Sequence, residues 1–159
     1  ERALEHPPQL VVAVVDVQEP GNVGAVVRAA EACWATGVVC CGTSADPFGP
    51  KALRGSMGSA LRLPVASGVA AAEAFAAMRA RGLRLVATVP TGGLRPDALD
   101  LRQPTALLFG AEGSGLTGDA LQAADAAVSI PMRAPVESLN VAVAVALLTC
   151  EAARQRGAF

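Results

Sequence analysis

The chain has 159 residues, a formal net charge of −1 and 52% apolar composition, which fits one domain with a substantial core. Only 17% of its residues are charged and no long charge run occurs, so global disorder is excluded. The longest strongly apolar run, Val141 to Leu148, is too short to span a bilayer, and no basic segment followed by an apolar stretch opens the chain as a secretory signal would.

In chain order, Leu10–Val15 is a continuous apolar run ending at Asp16 and reads as a buried strand. Glu19-Pro20-Gly21 breaks it, and Asn22 is placed to cap a helix through Val23–Trp34. Gly37 stops that helix, Val38–Cys41 reads as a second strand, and Asp46-Pro47 and Gly49-Pro50 mark a loop. A short helix over Lys51–Met57 and a short strand over Leu63–Ala66 follow. Ala70–Arg81 is helical on propensity, and Arg84–Val89 is a strand leading into the turn Pro90-Thr91-Gly92-Gly93. Thr105–Phe109 is a strand, Thr117–Ala124 a short helix and Ala127–Ile130 the last strand. Residues 139–155 form the last helix; the Val/Ala alternation at 141–146 imitates a strand, but the segment runs on without a breaker. Alternating elements with fully apolar strands predict an α/β fold: a mostly parallel sheet with helices on both faces, forming a single domain over 1–159.

Residue types narrow the chemistry. The single histidine, His6, excludes a multi-His metal site, and no metal site is expected. Cys33, Cys40, Cys41 and Cys150 show no CxxC spacing, so zinc and thioredoxin-type chemistry lack support. Adjacent Cys40 and Cys41 read as small buried strand residues in a reducing cytosol. The chain holds 34 Ala, and 12 Arg against one Lys, the usage of a GC-rich genome; its two Asn, Asn22 and Asn140, therefore carry more information than any Ala or Arg.

Three segments bear polar or glycine-rich chemistry, and each follows a strand, where parallel sheets bind ligands. In Asp16–Arg28, a glycine turn opens a helix and can present N–H groups to an anion. Asn22 and Arg28 either share a crevice or are a helix cap and a solvated side chain. In Leu107–Leu116, three glycines within six residues mean close backbone approach or positive φ, and Glu112 is the only acid. In Ile130–Val141, two prolines precede Ser138 and Asn140, with Ser138 the simplest N-cap of the last helix. The first segment is not GxGxxG and no Walker pattern occurs in the chain, which leaves a dinucleotide-dependent oxidoreductase a distant alternative.

Together these blocks resemble the SpoU (TrmH-like) family of RNA ribose methyltransferases within the SPOUT superfamily. Glu19-Pro-Gly-Asn-Val-Gly-Ala-Val-Val-Arg28 is similar to the family's first motif and Phe109-Gly-Ala-Glu-Gly-Ser-Gly-Leu116 to its second. Ile130-Pro-Met132 with Ser138-Leu-Asn-Val141 is similar to the third, and Arg54-Gly-Ser-Met-Gly58 with Leu63-Pro64 to a further segment. The family usually carries Gly where Ala134 stands, followed here by Pro135.

The resemblance implies a C-terminal trefoil knot holding S-adenosylmethionine and transfer of its methyl group to a ribose 2′-hydroxyl of ribosomal or transfer RNA, as in rRNA processing. It implies Arg28 as the catalytic arginine, with Asn22, Glu112, Ser138 and Asn140 around the reacting oxygen. Val89, Pro90, Thr91, Leu108, Gly110, Ile130, Met132 and Leu139 carry over as cofactor-binding. Arg28, Arg54, Arg62 and Arg133 are candidates for RNA phosphate contact. It further implies a cytoplasmic homodimer with no membrane or metal partner, in which one subunit's arginine reaches a cofactor site built mainly by the other. Many members carry an N-terminal RNA-recognition domain that this chain, which starts at Glu1, does not contain. The alternative from another class is a non-catalytic RNA-binding or assembly module with the same fold.

Overall fold

A computed structural model describes residues 9–159; His6 lies outside the described residues. Six strands, β1 (Leu10–Val15), β2 (Gly37–Cys41), β3 (Val65–Val69), β4 (Arg84–Thr88), β5 (Thr105–Phe109) and β6 (Ala126–Val128), form one sheet in the order β3-β2-β1-β5-β4-β6. Every pairing in it is parallel. The helices are α1 (Pro20–Ala32), α2 (Pro50–Ser56), α3 (Ser59–Arg62), α4 (Ala71–Ala80), α5 (Gly118–Ala123) and α6 (Val141–Gln155), with one 3-10 turn at Pro96–Ala98.

The sheet's centre is where the sequence is most uniformly apolar. All six residues of β1 and all five of β5 are buried, because each strand has a neighbour on both sides and helices over both faces. Alternation along the strands divides the core in two. Val12, Val14, Leu107 and Phe109 pack with Val23 and Val27 of α1 and Val145 and Leu148 of α6. Val11, Ala13, Leu85 and Leu108 pack with Phe75 and Met78 of α4 and Ala120 of α5. Each Val, Leu, Phe or Met among them contributes about 1.5–3 kcal/mol of burial. Cys40 and Cys41 are buried free thiols, as their strand position predicts, and burial pushes both up to about 12.

Several boundaries depart from the sequence expectation. Helix α1 starts at Pro20, whose fixed φ suits a first helical position, with Glu19 as N-cap accepting from the Gly21 N–H at 3.3 Å. Asn22 therefore lies inside the first turn and does not cap it. Strand β3 begins at Val65, after the helical turn α3 takes Ser59–Arg62, and it is half exposed at the sheet edge. The last strand stops at Val128, leaving Ser129 and Ile130 in the loop, and the cap of α6 is Asn140 and not Ser138. Val141, Val145 and Leu148 of α6 face the chain's own core, while Val143 and Leu147 are 47% and 48% exposed.

Helix α1 is held on both flanks. Against α2, a Cβ on Gly24 would lie 2.3 Å from the Ala52 carbonyl oxygen, so only glycine permits this approach. Against α6, the helices run side by side in one direction: Asn22 meets Asn140 at their starts, and Cys33 at the end of α1 forms a disulfide with Cys150 in the second half of α6, Cα atoms 4.9 Å apart. This pairing, 117 residues apart in sequence, had no spacing signal. The far end of α6 is fastened to the connection before β5. Gln155 accepts from the Leu101 N–H at 2.9 Å and donates to the Leu99 carbonyl at 3.1 Å. Arg156 donates to the carbonyls of Leu101 and Gln103 at 2.8 and 2.7 Å.

Candidate active site

Beyond the carboxyl ends of β4, β5 and β6 three loops converge and leave a cavity of about 130 Å³, opening into a wider one of about 1130 Å³. The smaller cavity is floored by sheet and helix: Phe109 and Val128 end their strands there, and Val141 and Ala144 of α6 close one side. Val89, Pro90, Gly110, Ile130, Met132 and Leu139, all named from the sequence, line it. Thr91 lines the wider cavity. Leu108 lines neither: strand alternation turns it into the opposite core, where it is fully buried, and its carbonyl accepts from the Thr88 hydroxyl at 2.8 Å. Thr88, Gly115 and Glu137 also line the smaller cavity, and sequence reasoning passed over them. Their one available signal was adjacency, since Thr88 precedes Val89, Gly115 closes the second motif and Glu137 precedes Ser138.

The glycine loop after β5 is shaped by contact with itself. A Cβ on Gly110 would lie 2.0 Å from the Gly115 carbonyl carbon and 2.2 Å from the Leu116 nitrogen. The Gly115 N–H donates to the Ala111 carbonyl at 2.8 Å. This closed turn sets Glu112 at the rim of the wider cavity.

There the polar residues meet. The Asn140 amide nitrogen donates to Asn22 Oδ1 and to Glu112 Oε1, each at 3.1 Å, while Asn140 Oδ1 accepts from the Ala142 N–H at 2.9 Å. One side chain thus caps α6 and joins the first, second and third motifs, with both amide hydrogens committed. Glu112 keeps its second oxygen, and Asn22 its amide nitrogen, for whatever enters the rim. Ser138 lines both cavities.

The arginines are spread more widely. Arg28 is exposed on α1, a turn and a half beyond Asn22, lines neither cavity and makes no hydrogen bond or ion pair to a described residue. Arg54 and Arg133 are exposed. Arg62 grips Glu31 through two bonds, Nε to Oε1 at 2.8 Å and Nη2 to Oε2 at 2.7 Å, and the paired guanidinium lowers the Glu31 pKa. Among the described residues no group of three or more His, Cys, Asp or Glu can hold a metal ion, and no helix is long and apolar enough to cross a membrane.

A parallel α/β sheet with its ligand cavity over the carboxyl ends of β4–β6, walled by a glycine loop and the entry to the last helix, defines the methyltransferase class that the motifs resemble. The chain belongs to the SpoU rRNA methylase family, whose model matches residues 9–150. An uncharacterized tRNA/rRNA methyltransferase of Synechocystis is 39% identical over 142 residues, 89% of this chain and 52% of the relative. The SpoU methyltransferase AviRb of Streptomyces viridochromogenes, solved with AdoMet, superposes with a TM-score of 0.89 at 36% identity, covering 95% of this chain and 62% of that one. A solved RNA 2′-O ribose methyltransferase gives 0.88 at 37% identity, covering 95% and 58%. The chain spans about half the length of the curated relatives it matches.

Proposed function

We propose that this chain is the catalytic domain of an S-adenosylmethionine-dependent methyltransferase acting on a ribose 2′-hydroxyl of transfer or ribosomal RNA in the cytoplasm. The observation that carries the reading is Asn140, whose amide holds Asn22 and Glu112 together at the mouth of an apolar cavity. The cavity suits the cofactor: apolar side chains flank a purine, and backbone groups of Gly110, Ile130 and Leu139 can pair with its edge without charged residues. When bound, the cofactor supplies an activated methyl group on sulfonium. The superfamily's trefoil knot would lie in this region, where the loops after β4 and β5 and residues of the 129–140 segment line one cavity.

The chain's own work is then to place the hydroxyl and stabilise its loss of a proton. Glu112 and Asn22 face the ribose from a rim that Asn140 positions. Arg28 stays protonated, orients an RNA phosphate and stabilises the developing oxyanion. That Arg28 lines neither cavity agrees with a homodimer in which it serves the partner's site. Exposed Val143 and Leu147 on α6, beside α1, give that dimer an apolar face. With a net charge of −1, RNA is gripped locally by Arg28, Arg54 and Arg133, with Arg62 joining only by leaving Glu31. A non-catalytic RNA-binding module would need neither the cavity nor the amide bridge.

The experiment is Arg28→Ala. It should bind S-adenosylmethionine as the wild type does yet lose most methyl transfer to cognate RNA. Arg28→Lys should be nearly as inactive at every pH; partial activity rising with pH would mean that the group accepts the proton instead. Mixing Arg28→Ala subunits with Asn140→Ala subunits should partly restore activity. No recovery from verified mixed dimers would mean that each subunit uses its own Arg28.

A further inference from the structure

We infer that Glu137 makes the cavity discriminate by charge, favouring the cationic methyl donor over its neutral demethylated product. The inference rests on the methyl-donor reading and concerns a residue with no part in the polar bridge at the rim. Glu137 is the one ionisable side chain lining both the small apolar cavity and the wider polar one. It takes no hydrogen bond and no ion pair from any described residue, so its carboxylate is unspent. Among the residues lining the two cavities, no free cation opposes that carboxylate. Arg95, the one cation lining the wider cavity, is held by Asp97, Nε to Oδ1 at 3.1 Å. The other lining carboxylate, Glu112, takes its hydrogen bond from a neutral amide. The combined walls therefore offer two carboxylates and no uncommitted cation.

A cavity of this sign acts on the one group that changes during methyl transfer. The hydroxyl oxygen forms its bond to the methyl carbon, the carbon–sulfur bond breaks with its electron pair going to sulfur, and the hydroxyl proton leaves to solvent. S-adenosylmethionine carries an ammonium, a carboxylate and a sulfonium, net +1; S-adenosylhomocysteine keeps only the first two, net zero. A carboxylate on the cavity wall stabilises the cationic donor and is indifferent to the neutral product. A unit charge across a partly hydrated cavity is worth about three- to tenfold in affinity. Glu137 thereby favours occupation of the cavity by fresh donor over product, without touching the reacting atoms.

The test is calorimetric titration of wild type, Glu137→Gln and Glu137→Asp with S-adenosylmethionine and with S-adenosylhomocysteine, at low salt and at roughly 0.5 M salt. In Glu137→Gln the donor should weaken by about three- to tenfold, with product affinity held within about twofold. Glu137→Asp should retain part of the preference, and high salt should erode the wild type's own preference without any substitution. A donor-to-product affinity ratio that is the same in wild type and Glu137→Gln, with both ligands bound, overturns the inference alone. A wild type that binds neither ligand overturns the methyl-donor reading and the inference with it.

Discussion

Replacing Gly110 by alanine tests whether the glycine loop after β5 is shaped by steric closure. The added Cβ would meet backbone only: the Gly115 carbonyl carbon at 2.0 Å, its oxygen at 2.2 Å and the Leu116 nitrogen at 2.2 Å. Ordinary contact begins near 3.4 Å, so the shortfall is about 1.4 Å, and no flexible side chain can absorb it. Leu116 is buried against the α4–α5 core, whereas Glu112 to Gly115 are exposed; the loop yields outward and carries Glu112 with it. A displacement of that size breaks the 3.1 Å bond from Asn140 to Glu112 and distorts the wall at Gly110. The stability cost should be about 1–3 kcal/mol, and S-adenosylmethionine affinity should fall by at least about tenfold, equivalent to 1.4 kcal/mol. Gly118→Ala is the matched control, because its Cβ would have nothing within 4 Å at the first residue of α5. It should leave binding alone and raise stability by up to about 1 kcal/mol. Urea denaturation and calorimetry on the two variants report both quantities. Donor affinity in Gly110→Ala within about twofold of wild type would refute the steric account.

Three other outcomes follow from the geometry. Thiol titration of the unfolded, unreduced chain should count two reactive cysteines, and four after reduction; Cys150→Ser should cost about 2–4 kcal/mol in denaturant unfolding if the Cys33–Cys150 bond closes its long loop. Asn140→Ala removes the α6 cap and the bridge together, so it should lose about 1–2 kcal/mol; Asn140→Asp keeps a cap oxygen but repels Glu112, and should restore part of that stability without restoring methyl transfer. Arg154 holds the Glu151 carboxyl down at about 2. A depressed carboxyl stabilises the fold above its unfolded pKa of 4.5 and loses that contribution as pH falls toward 2; the acid-side fall in the urea midpoint over this window should be shallower in Glu151→Gln than in wild type.

How much was legible depended on whether one physical term dominated locally. Thr105–Phe109 was placed to the residue because burial on both faces demands an unbroken apolar run and nothing competes. At β3 the edge position relaxes that demand, and Val-Ala-Ser-Gly-Val carries no clear period, so its start was set two residues early. Helix starts went astray where two capable residues stood close together. Pro20 fixed the backbone before Asn22 could act as a cap, and Asn140 displaced Ser138 because its oxygen reaches the Ala142 N–H. The motif residues could be named, but no local pattern gives the distance between Asn22 and Asn140, 118 residues apart. The Cys33–Cys150 bond was invisible for the same reason: it depends on two helices lying in parallel, a tertiary fact. Leu108 carries over with the family resemblance, which does not register which way a strand residue points.

Helix α6 is a spacer gauged at both ends. Its first residue follows the Asn140 cap at the rim, and its last, Gln155, is seated with Arg156 on the carbonyls before β5. Between them lie 15 residues, about 22 Å of rigid rod. Deleting one residue shortens the rod by about 1.5 Å and turns one end by roughly 100° relative to the other. The Asn140 bridge fixes one end and the Gln155 and Arg156 bonds fix the other, so the error falls on one of them: either Asn140 leaves Asn22 and Glu112, or Gln155 and Arg156 leave their carbonyls. Substitutions along the exposed stripe of α6 change a surface, whereas a change in its length disconnects the active-site rim from the opposite pole of the sheet. The length of this helix is therefore a functional dimension, and insertions or deletions within it should be far less tolerated than in the half-exposed segment around β3.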